Sequence, residues 1–318
     1  MADALTQLAG SGSGPLAPPA LERIAAALAA AGFPVPLAHI RVEARDDKWL
    51  VRLPGPLLAW VATSERGIAR LRTERRVLRL LASRCSFGVP RLLFESDEGD
   101  LDVREPVPGA TDPWAAYSTV RDDPARAREI GAALGALLAQ QHSRIVAADV
   151  ADWLPRQPEW PERRDWIAAR LPTVVDDARL IRRALATIDE YEGVPVEDGD
   201  LALLHGDLGL HNLAFDPESG AVNGVFDYDG AAWADRHHDF RYLVFDFASH
   251  ALVDAAAAAY EPAVGRPIRR ERVFLYNAAC AITYLASRAG VAPEERWCGR
   301  TLAEDLRWSN AAIAAVGR

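Results

Sequence analysis

Cysteine is scarce in this chain. Cys85, Cys280 and Cys298 are odd in number and stand in no CxxC-like spacing, which excludes a disulfide framework or a zinc knuckle and fits a reducing compartment. No stretch reaches the ~18 continuous apolar residues of a membrane helix. No Lys or Arg precedes Arg23, and the run GSGSGP at 10–15 interrupts any apolar segment, so the marks of a secretory signal are missing. Basic residues are in deficit, 36 against 45 Asp and Glu for a formal charge of −9, which argues against nucleic-acid backbones and suits a cationic ligand. These absences predict a cytoplasmic protein with no membrane or nucleic-acid partner and a loose stretch over its first 15 residues or so.

What is present is a large core. Half of the 318 residues are apolar, enough for one large domain or two lobes. A helix is expected over 17–31, then strands at 38–45 and 48–53 around Asp46 and Asp47. Thr63 or Ser64 is placed to cap a helix running to Ser83, with Ile68, Leu71, Leu78 and Leu81 on one face. Glu74 lies on that face, so burial of the leucines turns its carboxylate inward, where it needs a cation such as Arg52; the other reading sets it at the edge of the face against Arg70. Strands over 92–95 and 101–105 follow, then Pro106, Pro108 and Gly109 as punctuation. Beyond them helices are expected from Asp123 to near His142, over 161–171 and 175–191, and again from Asp235 onward.

Between the helical blocks lies a β-like island: 201–205, a polar loop, 213–215, the turn 216–220 and 221–226. Antiparallel pairing about that turn returns Asn212 and Asp227 to the same end of a hairpin, and Asp207 leaves the preceding strand. One carboxylate and one amide oxygen suit Mg2+, which keeps waters and takes its other ligands from phosphates. A neighbouring free carboxylate can accept a hydroxyl's hydrogen bond, orient it and take its proton.

HGDLGLHN (205–212) followed by FDYD (226–229) resembles the catalytic and metal-binding loops of the aminoglycoside phosphotransferase and choline kinase family, small-molecule kinases related to the protein kinases. The resemblance implies an α+β, bilobal protein-kinase-like fold: an N-terminal sheet lobe over 16–105, a hinge at 105–109 and a mainly helical lobe over 106–318. It implies Mg2+ and ATP or GTP, with a small hydroxylated acceptor that is cationic in some relatives. It implies Asp207 as catalytic base, Asn212 and Asp227 as metal ligands, and His205 and Asp235 as supports of the catalytic loop. VRLP at 51–54 looks like the strand whose basic residue, here Arg52, meets the phosphates, and Glu74 like its helix partner; REPVPG at 104–109 looks like the hinge, with Glu105 and Val107 against the nucleotide. Arg52 stands where most relatives carry Lys, and no glycine-rich loop is found between 35 and 50.

Other residues carry two readings. Asp229 is a candidate third metal contact or substrate-facing group. His211 faces substrate or bonds backbone, while His237 and His238 are expected to begin a helix and meet solvent. Trp233, Tyr284, Trp297 and Trp308 form either an aromatic ligand wall or ordinary core. Glu304 and Asp305 resemble the acidic residues with which aminoglycoside kinases bind amines, or belong to a solvated helix face. The His and Asp residues crowded between 205 and 239 suggest a metal-dependent hydrolase as one alternative, and the missing glycine loop a nucleotide-binding pseudoenzyme as another.

Overall fold

The computed structural model describes residues 18–244, 250–297 and 299–317; the loose segment expected at 1–15 and Cys298 lie outside them. In chain order the elements are α1 (Pro18–Ala30), β1 (Arg41–Arg45), β2 (Lys48–Arg52), β3 (Leu58–Ala62), α2 (Glu65–Arg84), β4 (Arg91–Glu95) and β5 (Leu101–Glu105). Helices α3 (Pro113–Asp122), α4 (Pro124–Arg144), α5 (Ala147–Val150), α6 (Arg164–Arg170) and α7 (Ala178–Glu192) follow. Then come β6 (Leu201–Leu204), β7 (Leu213–Phe215), β8 (Val222–Val225), β9 (Ala232–Asp235), α8 (His237–Arg241), α9 (Ala251–Val264), α10 (Arg270–Ser287) and α11 (Leu302–Ala315). None of the described helices is long and apolar enough to cross a membrane.

The chain forms two compact units, one of residues up to Thr111 together with Asn212–Gly230, the other of Asp112–His211 and Ala231 onward. In the first, five antiparallel strands take the order β1-β2-β3-β5-β4. Trp49, Val51, Ala59, Val61, Leu101 and Val103 point to one face, where Ile24 and Leu28 of α1 complete an apolar core. The opposite face carries Lys48, Trp60, Asp102 and Arg104; Ile68 and Leu71 of α2 pack there against Trp60 and Ala62. Ser64 caps α2 by accepting the Gly67 N–H, as expected. Strand β3 was not foreseen, because LAWVA is largely buried and has no polar alternation to mark it.

The β7–β8 hairpin sits in this first unit. Ala110 and Phe215 exchange backbone hydrogen bonds, Asn223 Nδ2 donates to the Pro108 carbonyl, and Gly88 pairs with Gly224. Gly109 is required beside them: its φ is +137°, and a Cβ there would meet the Phe215 carbonyl oxygen at 2.5 Å. The unit boundary thus falls after Thr111, six residues beyond the expected end of the sheet lobe, and the hairpin expected in the helical lobe belongs with the sheet. In the second unit, β6 pairs with β9, α4 packs on α9, and α6, α7, α10 and α11 share one apolar core.

Candidate active site

In the second unit the HGD loop leaves the end of β6. Its bend uses Gly206 at φ +85°, a region open to glycine. Asp239 fixes the loop: its Oδ2 accepts the His205 N–H and its Oδ1 the Gly206 N–H, each at 3.0 Å. Asp239 is wholly buried, which by itself would raise its carboxyl, but His142 at 3.1 Å and the loop amides hold it below the usual aspartate range. From the other side Arg241 donates to the Gly206 carbonyl at 2.9 Å.

The brace was expected to be Asp235, and the structure corrects this. Antiparallel register sets Asp235 opposite Leu201, at the end of β6 away from the loop. Its carboxylate instead accepts from His237 Nδ1 (2.5 Å), the Tyr276 hydroxyl (2.6 Å) and Arg272 (2.9 Å). His237 and His238, expected in solvent, are buried: His238 stacks on Tyr276 at 4.3 Å, and burial together with Arg241 pushes its imidazole down to about 3.

Asp207 emerges from this loop with its side chain 43% exposed. Its N–H donates to Nδ1 of the buried His205 at 3.2 Å, and its Oδ2 lies 3.1 Å from His211 Nε2. Partial burial raises its carboxyl, but the hydrogen bonds of His211 and of the Tyr242 hydroxyl outweigh this and keep it below the usual range. His211 therefore meets the Asp207 carboxylate. Trp233 is buried within β9, its backbone N–H bonded to the Pro155 carbonyl.

In the first unit, Leu213 pairs with Val225 and the Phe226 N–H donates to the Asn212 carbonyl at 3.0 Å. Asn212 and Asp227 are thus adjacent across the open end of the hairpin, with Asp227 in a left-handed conformation at φ +68°.

Glu74 does turn inward, 1% exposed, but its partner is not Arg52. Arg52 lies four residues beyond Lys48 on the same strand face, about 13 Å further along; it is 58% exposed and bound to Glu43 at 2.8 Å. Glu74 binds Arg104 at 2.8 Å, and Asp102 braces the same guanidinium with two bonds of 2.8 Å. Burial raises the Glu74 carboxyl, yet Arg104 and Lys48 bring it down to about 2. The alternative partner Arg70 bonds Asp229 at 3.0 Å.

Lys48, the one lysine in the sequence, was missed. Its Nζ lies 2.5 Å from Asp229 Oδ2 and 4.9 Å from the Trp60 ring centroid. Burial lowers its pKa, but Glu74 and Asp229 together raise it above the ordinary value, so it is cationic. Its uniqueness was the available signal; what concealed it was its position as the first residue of β2, beside Asp46 and Asp47, which reads as part of a solvated turn. Asp229, expected to face metal or substrate, is held between Lys48 and Arg70.

Glu105 pairs with Arg91 at 2.6 Å and Val107 is buried. Glu304 forms the capping box of α11 with Thr301, and Asp305 is buried against Arg300 at 2.9 Å and Arg288 at 3.7 Å. Asp305 is thus not a solvated carboxylate, while Glu304 is partly exposed with its carboxylate turned to Thr301. Trp297 is 41% exposed, whereas Tyr284 and Trp308 pack against each other.

No curated protein sequence matches this chain significantly. Among solved structures it is similar to the GDP and kanamycin complex of APH(2")-IIia, at 16% identity over 92% of this chain and 97% of that one, with a TM-score of 0.64. It is similar also to macrolide 2'-phosphotransferase MphH from Brachybacterium faecium, at 19% identity over 94% and 98%, with a TM-score of 0.62. The streptomycin–ATP–APH(2")-IIa ternary complex matches at 13% identity over 94% and 99%, TM-score 0.61. These likenesses establish the kinase-like fold. The model of the phosphotransferase enzyme family, APH, matches residues 37–274, three quarters of the sequence, and the chain accordingly belongs to that family, the small-molecule kinases whose loops it resembles.

Proposed function

We propose that the protein transfers the γ-phosphoryl group of ATP or GTP, with Mg2+, to a hydroxyl of a small molecule in the cytoplasm, with Asp207 as the base. The observation that carries this is the state of Asp207: an ionised, half-exposed carboxylate on a loop whose amides are tied to a buried aspartate. Such a group accepts the hydroxyl's hydrogen bond, aims its oxygen, and takes its proton as the new P–O bond forms and the bond to the leaving diphosphate breaks.

Asn212 and Asp227 fit the metal. They supply one amide and one carboxylate oxygen, the hard donor set of an ion whose other ligands are phosphates and waters. When bound, Mg2+ neutralises phosphate charge. Lys48, with Glu74 beside it, is assigned to the phosphates in place of Arg52. Glu105 and Val107 are assigned to the nucleotide base through their backbone, since the Glu105 side chain is engaged with Arg91. Relatives solved with GDP, ATP, kanamycin and streptomycin support a nucleotide donor and a small hydroxylated acceptor.

The hydrolase alternative loses its basis, because Asp235, His237 and Asp239 are engaged in buried internal bonds and His238 is buried in a stack on Tyr276. Among the described residues no three His, Cys, Asp or Glu gather as a metal set.

The test is nucleotide binding by thermal shift with Mg2+, together with diphosphate release across a panel of hydroxylated acceptors. Asp207→Asn should retain the shift and lose about 10²–10⁴-fold in turnover. Failure of both ATP and GTP to bind would reject the proposal.

A further inference from the structure

The geometry points to an acceptor with a flat aromatic or unsaturated face and a neutral or anionic character, stacked on Trp160, Tyr284 and Trp308, and not to a polycationic amino sugar. The inference rests on the phosphotransferase reading above and lies wholly within the second unit.

The starting point is Tyr242, whose hydroxyl bonds the Asp207 carboxylate. Its ring belongs to one cluster with Cys280 and with three aromatics that are only partly buried: Trp160, Tyr284 and Trp308. Trp160 and Tyr284 stack with centroids 4.8 Å apart and planes inclined by 24°, and Tyr284 meets Trp308 at 5.7 Å. A continuous aromatic surface therefore begins beside the candidate base and is open to solvent in part. Aromatic rings left partly open beside a base offer stacking to a flat ligand.

A cation already lies on this surface. The Arg300 guanidinium stands 4.4 Å from the Trp308 centroid and 5.6 Å from that of Tyr284. Asp305 of α11 is 2% exposed and shared by Arg300 and Arg288. Glu304 is turned to the Thr301 amide and hydroxyl, with Arg296 at 3.7 Å. An ammonium placed over Trp308 and Tyr284 would meet the Arg300 guanidinium, whose partner Asp305 is already engaged. A carboxylate, a phosphate or a neutral ring would meet no such barrier.

The experiment uses the full chain with Mg2+ and ATP or GTP, and three probes: phenyllactate, its neutral analogue 3-phenyl-1,2-propanediol, and kanamycin. Diphosphate release is expected with the two phenyl compounds and not with kanamycin. Trp308→Ala should raise KM for both phenyl probes about tenfold with kcat within a few-fold, and Trp308→Phe should restore it. Arg300→Gln should raise KM for phenyllactate and spare the neutral diol. A lower KM for kanamycin than for the phenyl probes, or an unchanged KM in Trp308→Ala, overturns the inference while leaving phosphoryl transfer intact. Should no probe turn over, tryptophan fluorescence decides: saturable quenching by the phenyl probes that Trp308→Ala weakens sustains the inference, and its absence overturns it. Loss of nucleotide binding is read separately, by thermal shift, and bears on the transferase reading alone.

Discussion

The Nζ of Lys48 lies 2.5 Å from the Oδ2 of Asp229, with the lysine side chain 3% exposed. The pair is one link in a file of alternating charges between the sheet and α2: Arg75 with Asp102, Asp102 with Arg104, Arg104 with Glu74, Lys48 with Asp229, and Asp229 with Arg70. Glu74 sits between Arg104 and Lys48 and feels both charges. Each buried charge has a neighbour of opposite sign, so removal of one strands another.

Lys48, not Arg52, should govern nucleotide affinity. Lys48→Ala is expected to weaken binding of the Mg-nucleotide about 100-fold by calorimetry, a little under 3 kcal/mol, and to lower the melting temperature by leaving Asp229 with Arg70 alone. Arg52→Ala, which removes an exposed pair, should stay within about twofold. A larger loss in Arg52→Ala would reverse the assignment. Because Lys48 is the only lysine, amine acylation outside the N-terminus reports on this one position, and nucleotide should protect it.

The pH profile follows from Asp207. Its folded pKa is depressed, so the active, ionised form is present at neutral pH and is lost only as pH falls through a value below the ordinary aspartate range. The acid limb of kcat should lie there. In His211→Gln, without the ring that lowers the carboxyl, the limb should move upward; a limb that does not move would remove His211 from this role.

Stability should fall with acid in two windows. The Glu74 carboxyl titrates at about 2 when folded against 4.5 when free, so its contribution is complete above pH 4.5 and lost as pH falls toward 2, on the order of 3 kcal/mol. His238 is held neutral down to about 3 against 6.5 when free, so the unfolded chain gains a proton first and stability declines from pH 6.5 downward. In urea titrations Glu74→Gln should be destabilised at neutral pH and show a flatter dependence below pH 4.5. An unaltered slope would contradict the burial of this carboxylate among cations.

Asp239 and Asp235 should separate by phenotype. Asp239→Asn keeps the shape but cannot accept both loop amides as a charged group, so kcat should fall at least tenfold with nucleotide affinity little changed. Asp235→Asn breaks bonds to Arg272 and Tyr276 away from the loop and should lower the melting temperature with a smaller effect on kcat. The reverse pattern would restore Asp235 as the brace.

The sequence alone determined the features that depend on short separations along the chain. The Ser64-capped helix, the strands around local turns, the hairpin that returns Asn212 to Asp227, and the loop motif at His205–Asn212 were all legible, because caps, turns and antiparallel pairing are settled by neighbours. Tertiary structure decided which distant charges meet. Glu74 could be read as inward, but not that Arg104 and Lys48 would lie beside it, since strand order β2-β3-β5 brings together residues far apart in sequence. Asp239 and Asp235 look equivalent four residues apart in one polar segment; only the register of β9 on β6 and the turn into α8 send one to the loop and the other to Tyr276. Asp305 likewise reads as a surface acid until the packing of α11 on α10 seals it against Arg288. Pairing of buried charges is a property of packed surfaces, and those surfaces exist only once the elements have come together.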